Sequence, residues 1–382
     1  MGAAGEQMPL MRRAVAEVDL GAITANCERL CRDLAGSTTL CAVVKADGYG
    51  HGIVEASKAA LAGGAKSLAV VTVEEAAELR DALPTAAVIM LAPPQPAEAA
   101  AAVATAAELT ACSRHQIAAI GEAAARQRRT VSVHVKLDTG MSRFGAETAD
   151  EALAVLDAAA AHPSLRPAGV WTHFATADEP GDEFFAAQLA RFRAFAAAAK
   201  QRYPDVLAHA ANSAATLRER ASHFDFVRCG IAIYGLDPFH TDAAARGLSP
   251  ALALRSYVAS IRPLAVGESA GYGRRFIAAD ETEVATVPIG YGDGWRRVLG
   301  DNSEVLIDGR RFAQRGTVSM DSICVELSMG SGLELGAPVT LIGADGALRI
   351  TTEEVARRAG TINYEITCGL TARTLRDYSG SR

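Results

Sequence analysis

A lysine that follows an apolar stretch is the first residue whose type and setting suit chemistry. Leu40–Val44 predicts a short buried strand, and Lys45 comes next, ahead of a glycine-rich loop. Only five of the 38 basic residues of this chain are lysines. A desolvated lysine, unlike an arginine, can lose its proton and act as a nucleophile or base. Lys45 is therefore a candidate for imine formation, or else a lysine that extends from a strand end into solvent.

Polar and ionisable residues follow several other apolar stretches, where strands buried on both faces would carry apolar side chains. These residues are Thr72, Ser113, Lys136, Asp138, His173, Asn212, Ser213 and Arg228. Their recurrence predicts a common functional edge. Simpler alternatives remain for three of them: an ion pair with Asp138 for Lys136, a helix N-cap for Ser213, and a salt bridge for Arg228.

The elements that would hold these residues alternate regularly. Strands are predicted near residues 39–44, 67–72, 86–91, 107–112, 130–138, 165–173, 206–211 and 224–229. Helices are predicted over 21–34, 53–63, 73–82, 96–105, 114–128, 148–161, 182–200 and 213–220. Eight strands in β/α alternation favour a (β/α)8 TIM-like barrel over an open doubly wound sheet. The glycine run at 48–52 also lacks the spacing of a dinucleotide or phosphate-loop motif.

A barrel gives these polar residues a shared location, because active groups of barrels lie at the carboxyl ends of strands. Loops after the seventh and eighth strands often bind phosphate, and here they carry Asn212–Ser213 and Arg228–Ile231. An imine-forming Lys45 together with a phosphate site predicts pyridoxal 5′-phosphate (PLP) as cofactor.

After about residue 245 the pattern changes to that of a mostly β domain. Strand-like segments occur at Ala251–Val266, Glu283–Ile289, Glu304–Ile307, Ile323–Leu327 and Pro338–Ile342, with one helix at Thr352–Ala359. We therefore predict a barrel domain over 14–245 and a mostly β domain over 246–382. The leading strand 14–20 is a candidate partner of the second domain.

Composition narrows the function classes. The chain has 382 residues, 49% of them hydrophobic, and a formal net charge of −6 without a basic patch, which argues against nucleic acid as a partner. Seven scattered cysteines without a C-x-x-C pair predict reduced thiols and no metal site. Residues 1–13 resemble a loose leader rather than a signal peptide, and no apolar run reaches about 18 residues. We expect a cytoplasmic protein without membrane contact.

Eight motifs, in order along the chain, resemble those of the alanine racemase family. They span residues 42–52, 134–145, 209–213, 227–235, 271–273, 288–294, 319–321 and 362–365. The similarity runs from about Ala16 to Asp377. The resemblance implies a PLP-dependent homodimer, with active sites shared between subunits, that interconverts L- and D-alanine. In bacteria this reaction supplies D-alanine for peptidoglycan.

The resemblance also implies a role for two acid/base groups. Lys45 would hold PLP and serve as one of them, and Tyr272 of a second subunit would serve as the other. A racemase needs such a pair, because the α-proton leaves one face and a proton returns to the opposite face. Without the resemblance, Tyr272 would be taken for a turn residue between glycines.

The remaining contacts are implied in the same way. Residues implied to bind the cofactor are Lys45, Tyr49, His173, Asn212, Ser213, Arg228, Gly230, Ile231 and Tyr364. Residues implied to bind the substrate are Arg143 and Met320, with support from Lys136, Tyr291 and Asp321. Arg228 would face the pyridine nitrogen and, unable to give up its proton, would weaken the ring as an electron sink. In part of the family, the lysine at the position of Lys136 is carbamylated. The same modification here would place an anion beside Arg143.

Rival functions remain for a PLP-binding barrel. An amino-acid decarboxylase of the same architecture would carry an acidic group where this chain has Arg228. A non-catalytic PLP-binding protein would lack residues 246–382. A serine-preferring racemase is also open, because a pocket narrowed by Tyr364 and Met320 rejects one extra hydroxyl only modestly.

Overall fold

The computed structural model describes residues 12–380, which form two compact units. One is Leu20–Ala251, and the other joins the segment up to Asp19 with Leu252–Ser379. The division falls later than the predicted boundary at 245, because residues up to Ala251 are hydrogen-bonded within the first unit. Ala251 N donates to Tyr234 O at 3.0 Å, and Asn26 Nδ2 donates to Ser249 O at 2.8 Å.

The first unit contains eight parallel strands in the order β8-β7-β6-β5-β4-β3-β2-β9. In chain order after β1 (Val15–Asp19) they are β2 (Thr39–Val43), β3 (Ser67–Val70), β4 (Val88–Met90), β5 (Glu108–Ala111), β6 (Val131–Lys136), β7 (Leu165–Trp171), β8 (Leu207–His209) and β9 (Phe226–Cys229). Backbone bonds from Asp225 to Ala208 and from Arg228 to Ala211 join the last strand to β8 and close the sheet. A strand lies in each predicted segment, and the predicted (β/α)8 barrel is confirmed.

Helices follow the strands as predicted, and one further element, α2 (Lys45–Tyr49), is a turn of left-handed backbone in the predicted glycine-rich loop. They are α1 (Leu20–Asp33), α2 (Lys45–Tyr49), α3 (Ile53–Ala62), α4 (Val73–Ala82), α5 (Ala99–Ala104), α6 (Arg114–Arg126), α7 (Ala149–Ala161), α8 (Glu183–Arg202) and α9 (Ser213–Arg218). Thr72 and Ser113 accept the backbone N–H groups of Glu75 and Gln116 as N-caps of α4 and α6. These two polar strand ends therefore begin helices, which accounts for their residue type without a catalytic role.

The second unit is mostly β, as predicted. Its further elements are β10 (Leu252–Tyr257), β11 (Ser260–Leu264), β12 (Ser269–Ala270), β13 (Phe276–Ile277), β14 (Thr282–Val287), β15 (Glu304–Ile307), β16 (Arg310–Arg315), β17 (Ile323–Leu327), β18 (Pro338–Asp345), β19 (Leu348–Ile350), α10 (Thr352–Ala359), α11 (Asn363–Cys368) and β20 (Leu375–Ser379). The main sheet runs β11-β14-β17-β16-β15-β18-β10-β1-β20. β1 pairs with β10 in antiparallel and with β20 in parallel orientation.

The single strand predicted over 251–266 is two strands, β10 and β11. Between them Val258 N donates to Ala337 O, whereas Ala259 N donates to Thr286 O, so the chain exchanges one partner strand for another. An Asp308-Gly309 turn joins β15 to β16, with φ of 50° and 67° at the two residues, as a tight hairpin requires.

Candidate active site

Lys45 begins a left-handed turn at the carboxyl end of β2. Ala46, Asp47, Gly48 and Tyr49 have φ between 52° and 60°, although three of them are not glycine. Such residues are held in this region only by their surroundings. Glu75 accepts the N–H of Ala46 at 2.7 Å, and Asp47 accepts that of Ile53 at 3.0 Å. The sequence predicts a loop here, but not its handedness.

Arg228 lies inside the barrel and is 3% exposed. Its guanidinium donates to His209 Nδ1 (2.9 Å), to Thr172 O (2.9 Å), to Ala210 O (3.0 Å) and to His173 Nδ1 (3.2 Å). Burial lowers the pKa of Arg228 to about 10, so the group stays charged at neutral pH. These partners are all neutral acceptors, and Arg228 forms no salt bridge with any residue from 12 to 380, so the salt-bridge alternative is wrong for this part of the chain.

Lys136 is a buried amine on β6, 2% exposed. Its Nζ lies 4.6 Å from the ring centre of Trp171 and 5.9 Å from that of Phe144. Desolvation lowers the pKa of Lys136 to about 8. Asp138 instead accepts the N–H groups of Gly140 and Met141, at 2.7 and 2.8 Å, so its carboxylate shapes the turn after β6.

Four cations converge on one histidine at the barrel mouth. The pKa of His173 is lowered well below its ordinary value, first by burial and then by the charges of Arg228, Lys136, Arg143 and Lys45. His173 is therefore neutral, and its Nδ1 accepts from Arg228. The sequence-predicted residues of the barrel are thus brought together in a site with excess positive charge, which suits an anionic ligand.

A small cradle lies beside these cations. Ser213 Oγ accepts the N–H groups of Gly230 (3.1 Å) and Ala232 (3.3 Å), and Ile231 between them is buried. A Cβ placed on Gly230 would lie 2.3 Å from Tyr49 Oη, so only glycine permits this approach. We call Tyr49, Ser213, Gly230 and Ile231 the Ser213 cradle.

The N-cap of α9 is Asn212, not Ser213. Asn212 Oδ1 accepts the N–H of Ala215 at 3.0 Å, while Ser213 is the first helical residue. The alternative of a plain N-cap for Ser213 is therefore wrong. The side-chain oxygen of Asn212 orients the loop that carries Ser213.

The other predicted site residues belong to the second unit. Tyr272 follows β12 between glycines of positive φ and is 73% exposed. Tyr291 and Met320 are 41% and 50% exposed and lie on two loops joined by backbone bonds from Tyr291 to Ser319 and from Gly292 to Met320. Tyr364 lies on α11 of this unit.

A cluster of two arginines and two aspartates fixes these loops, and of its members only Asp321 was predicted as a site residue. Buried Asp293 pairs with Arg13 at 3.1 Å and with Arg373 at 3.2 Å. Arg373 also binds Asp321 at 2.6 Å, and Arg13 donates to the carbonyl of Asp321 at 2.7 Å. Arg13 is thus part of the fold, because its charge neutralises a buried carboxylate; the rest of the predicted leader up to residue 11 lies outside the described residues.

Two histidines and a glutamate beneath Arg228 were also not predicted as site residues. His209, His134 and Glu108 continue the hydrogen bonds of Arg228 through the barrel. The available signal was weak: His134 shares one strand face with Lys136, because side chains alternate along a strand, and His209 ends β8 just before Asn212.

Two family models cover most of this chain. The alanine racemase N-terminal domain matches residues 18–238, and the alanine racemase C-terminal domain matches residues 251–378. The chain belongs to the alanine racemase family. This confirms the resemblance seen in the motifs, and it makes the protein an enzyme of the isomerase class, an amino-acid racemase.

Similarity to individual members of the alanine racemase family extends over nearly the whole chain. An alanine racemase of Symbiobacterium thermophilum is 39% identical over 376 residues, 97% of this chain and 98% of that protein. Alanine racemase 1 of Bacillus subtilis is 38% identical over 371 residues, 96% of this chain and 93% of that protein. The crystal structure of alanine racemase from E. faecalis has a TM-score of 0.89 at 35% identity, covering 96% of this chain and 98% of that one. The enzyme of Streptomyces coelicolor A3(2) has a TM-score of 0.90 at 36% identity, covering 97% and 98%.

Two features are absent from residues 12–380. Within this part of the chain, no helix is both long and apolar enough to span a membrane. In the same residues, no group of three or more His, Cys, Asp or Glu side chains is arranged to hold a metal ion.

Proposed function

We propose that this racemase interconverts L- and D-alanine with PLP attached to Lys45, in a homodimer whose sites combine residues of both subunits. The observation that carries this proposal is the joint presence, at one barrel mouth, of Lys45, a buried donor-only Arg228 and the Ser213 cradle, which we propose as the phosphate site. In the cytoplasm of a bacterium the product would supply D-alanine for peptidoglycan.

The residues present fit PLP group by group. Lys45 offers an amine for the aldehyde, and Arg228 offers N–H donors for a ring nitrogen that accepts. The cradle offers the Tyr49 hydroxyl and a backbone that glycine leaves open at residue 230. The surplus of cations around His173 matches the phosphate dianion. Tyr364 is proposed as a further phosphate contact, and Asn212 positions the cradle.

When bound, PLP supplies an electron sink that acidifies the α-proton of the amino acid. Lys45 would take or return this proton on one face, and Tyr272 of the partner subunit on the other. A side chain that is 73% exposed on a turn is accessible to a second chain, which supports that assignment for Tyr272. Exposed Tyr291 and Met320 support the same arrangement, with the Met320 N–H directed to the substrate carboxylate.

Arg228 is proposed to restrict the reaction to racemisation. Because a guanidinium charged at neutral pH donates hydrogen bonds without giving up its proton, the ring nitrogen would stay unprotonated. An electron sink weakened in this way disfavours decarboxylation and transfer of the amino group. Arg143 is proposed to bind the substrate carboxylate as a planar fork, with Lys136 as its support.

The decisive experiment uses the purified enzyme with PLP and L-alanine in deuterated water. We expect cofactor absorbance and the appearance of α-deuterated D-alanine on chiral chromatography. Lys45→Ala should abolish both, whereas Lys58→Ala, which removes an exposed lysine paired with Glu55, should change neither.

Other outcomes of the same experiment would overturn the proposal. Carbon dioxide released from an amino acid would indicate the decarboxylase, and absorbance without any reaction would indicate a PLP-binding protein. Faster turnover of serine than of alanine would indicate a serine-preferring racemase.

A further inference from the structure

A continuous line of hydrogen bonds crosses the barrel from its amino-terminal face to Arg228. Glu108, the first residue of β5, accepts from His134 Nε2 at 2.5 Å. His134 Nδ1 lies 3.0 Å from His209 Nε2, and His209 Nδ1 lies 2.9 Å from Arg228 Nη1. We call these four residues the Glu108–Arg228 line. Lys45 lies at the opposite, carboxyl ends of the strands.

The middle of this line is closed to water. His134 and His209 are 1% and 0% exposed, while the Glu108 side chain is 33% exposed. His209 is held between two rings, with centres 5.6 Å from that of Trp171 and 4.1 Å from that of Phe226. A Cβ on Gly169 would lie 2.2 Å from His134 Nδ1, so that glycine makes room for the imidazole.

Arg228 and Glu108, at the two ends of the line, determine which ring nitrogen carries the proton in each of the two histidines between them. A guanidinium only donates, so His209 Nδ1 accepts from Arg228. Burial, and then the charge of Arg228, keep the pKa of His209 well below its ordinary value, so His209 is neutral and its proton is on Nε2. His134 Nδ1 therefore accepts from His209, and His134 Nε2–H donates to the Glu108 carboxylate. Both imidazoles are neutral and in the same tautomer.

We propose that Glu108 is a positioning residue for the reaction: it fixes the proton order of the two histidines and is the remote counter-charge of Arg228. Its role in the reaction rests on the proposed function of Arg228 beside the pyridine nitrogen, whereas the proton order rests on the chain alone. The acid on the far face of the barrel thus sets how strongly positive the edge of the cofactor ring becomes.

Loss of the Glu108 charge should change the balance between racemisation and side reaction in one direction. At an effective dielectric constant of about 20, the attraction between two unit charges on the order of 10 Å apart corresponds to roughly a tenfold change in an equilibrium constant. Without Glu108, the ring edge is more positive and draws electrons more strongly. More turnovers then end in the side reaction, in which the amino group of alanine passes to the cofactor. In that reaction the cofactor aldehyde carbon is reduced by two electrons, and alanine is oxidised by two and leaves as pyruvate.

The proton order can be measured without cofactor or activity. In cofactor-free protein labelled with 15N-histidine, we expect the ring nitrogens of His134 and His209 to show the neutral Nε2–H tautomer. Glu108→Gln should move the His134 signals, and Glu122→Gln, which neutralises an exposed carboxylate paired with Arg126 at 3.5 Å, should leave them in place. A doubly protonated His134, or a His209 protonated on Nδ1, would overturn the assignment.

The consequence for the reaction is measured in the holoenzyme as pyruvate formed per racemisation. We expect Glu108→Gln to raise this ratio about threefold to tenfold, and Glu108→Asp, which keeps the charge, to stay near wild type with Glu122→Gln. An unchanged ratio in Glu108→Gln, or an equal rise in Glu108→Asp, would refute the counter-charge role. If wild type does not racemise alanine at all, the proposed function fails, while the histidine signals still decide the proton order.

Discussion

The Lys136 amine occupies an apolar position between two aromatic rings, and this location changes what the amine can do. With a pKa of about 8, roughly a tenth of it is neutral at pH 7, against roughly 0.03% for an ordinary lysine. Only the neutral amine reacts with carbon dioxide. The structure therefore supports the implied carbamate, an anion that would orient Arg143 and relieve the repulsion among the cations around His173.

Carbamylation of Lys136 predicts a carbamate carbon signal when the enzyme is equilibrated with 13C-bicarbonate. The signal should grow as the pH rises through about 8, because the neutral fraction grows there. Lys136→Ala should lose the signal and at least about tenfold in kcat/KM, since each lost ion–ion contact within the site is worth about 1.4 kcal/mol or more. Lys200→Ala, at a partly exposed lysine paired with Asp225, should keep both. A signal that survives in Lys136→Ala would assign the carbamate elsewhere.

The two-base arrangement predicts a directional defect at Tyr272. Tyr272→Phe should slow removal of the α-proton from L-alanine far more than from D-alanine, by about 100-fold or more, because one face loses its acid/base group. Deuterium wash-in from either enantiomer measures this. Tyr378→Phe, which changes another partly exposed tyrosine of the same unit, serves as control. Equal losses in both directions would disprove two separate bases.

At the scale of single residues, sequence analysis identified candidate site residues at strand ends. It missed the residues that position another side chain or loop of the site. Lys45, Lys136 and Arg228 were visible because a charged residue ends or interrupts an apolar run. Glu108 and Asp293 looked like ordinary surface acids, since their partners lie 26 or more positions away in sequence, at His134 and Arg13. Only the tertiary fold brings such partners together.

Among the elements, the left-handed turn after β2 depends on a neighbouring helix. Glu75 completes the capping box of α4 with Thr72, and it also accepts from Ala46 at 2.7 Å and from Val71 at 2.8 Å. One carboxylate thus begins a helix and holds the residue next to Lys45. The sequence shows the capping box but not this second contact, because handedness at residues 46–49 is set by surroundings rather than by residue preference.

We therefore predict that Glu75→Ala weakens cofactor binding as well as stability. The lost cap costs about 1 kcal/mol of unfolding free energy, and the freed turn should raise the dissociation constant for PLP about tenfold. Glu151→Ala is the matched control, because Glu151 completes the same capping box with Thr148 on α7. Both variants should lose similar stability in thermal unfolding, and only Glu75→Ala should lose PLP affinity. Equal PLP affinity in the two would contradict the coupling.

The loops that carry Tyr291 and Met320 predict an effect of Asp293 on substrate binding. Asp293→Asn leaves Arg13 and Arg373 facing a neutral group and should loosen both loops, since a buried charge cluster tolerates the loss of one partner poorly. We expect KM for alanine to rise about fivefold or more, with a smaller change in kcat. Asp308→Asn, on a turn of the same unit that Asn also tolerates, should leave steady-state kinetics unchanged. An unaltered KM in Asp293→Asn would show that this charge cluster does not contribute to substrate binding.

For the whole molecule, a site shared between subunits predicts complementation. Lys45→Ala and Tyr272→Phe chains are each defective, but half of a random mixture of dimers carries one intact site. Refolding the two together should restore roughly a quarter of wild-type activity above the sum of the separate variants. Mixed dimers, verified by differently tagged chains, that show no gain would mean that Tyr272 acts within its own subunit.

At the same scale, periodicity predicted the barrel because each β/α unit packs against its neighbours in sequence. Which strands belong to the second unit was harder to predict from the sequence. The leading strand was a candidate partner of the second domain, but its partner strands, which begin at Leu252 and Leu375, were not predicted, because no local pattern encodes so distant a pairing. The boundary at Ala251 likewise depends on hydrogen bonds to residues 26 and 234.

The position of β1 has a consequence for biosynthesis. As the chain emerges from the ribosome, Val15–Asp19 appears early but finds its first partner strand only after the eight barrel strands have been made. Its second edge stays open until Leu375–Ser379 has been made. The barrel strands can thus pair before β10 is made, whereas the main sheet of the β unit is complete only once β20 has been made. An exposed strand edge is prone to foreign pairing during that delay, so a ribosome pause at any point before residue 375 would prolong the exposure of at least one edge of β1.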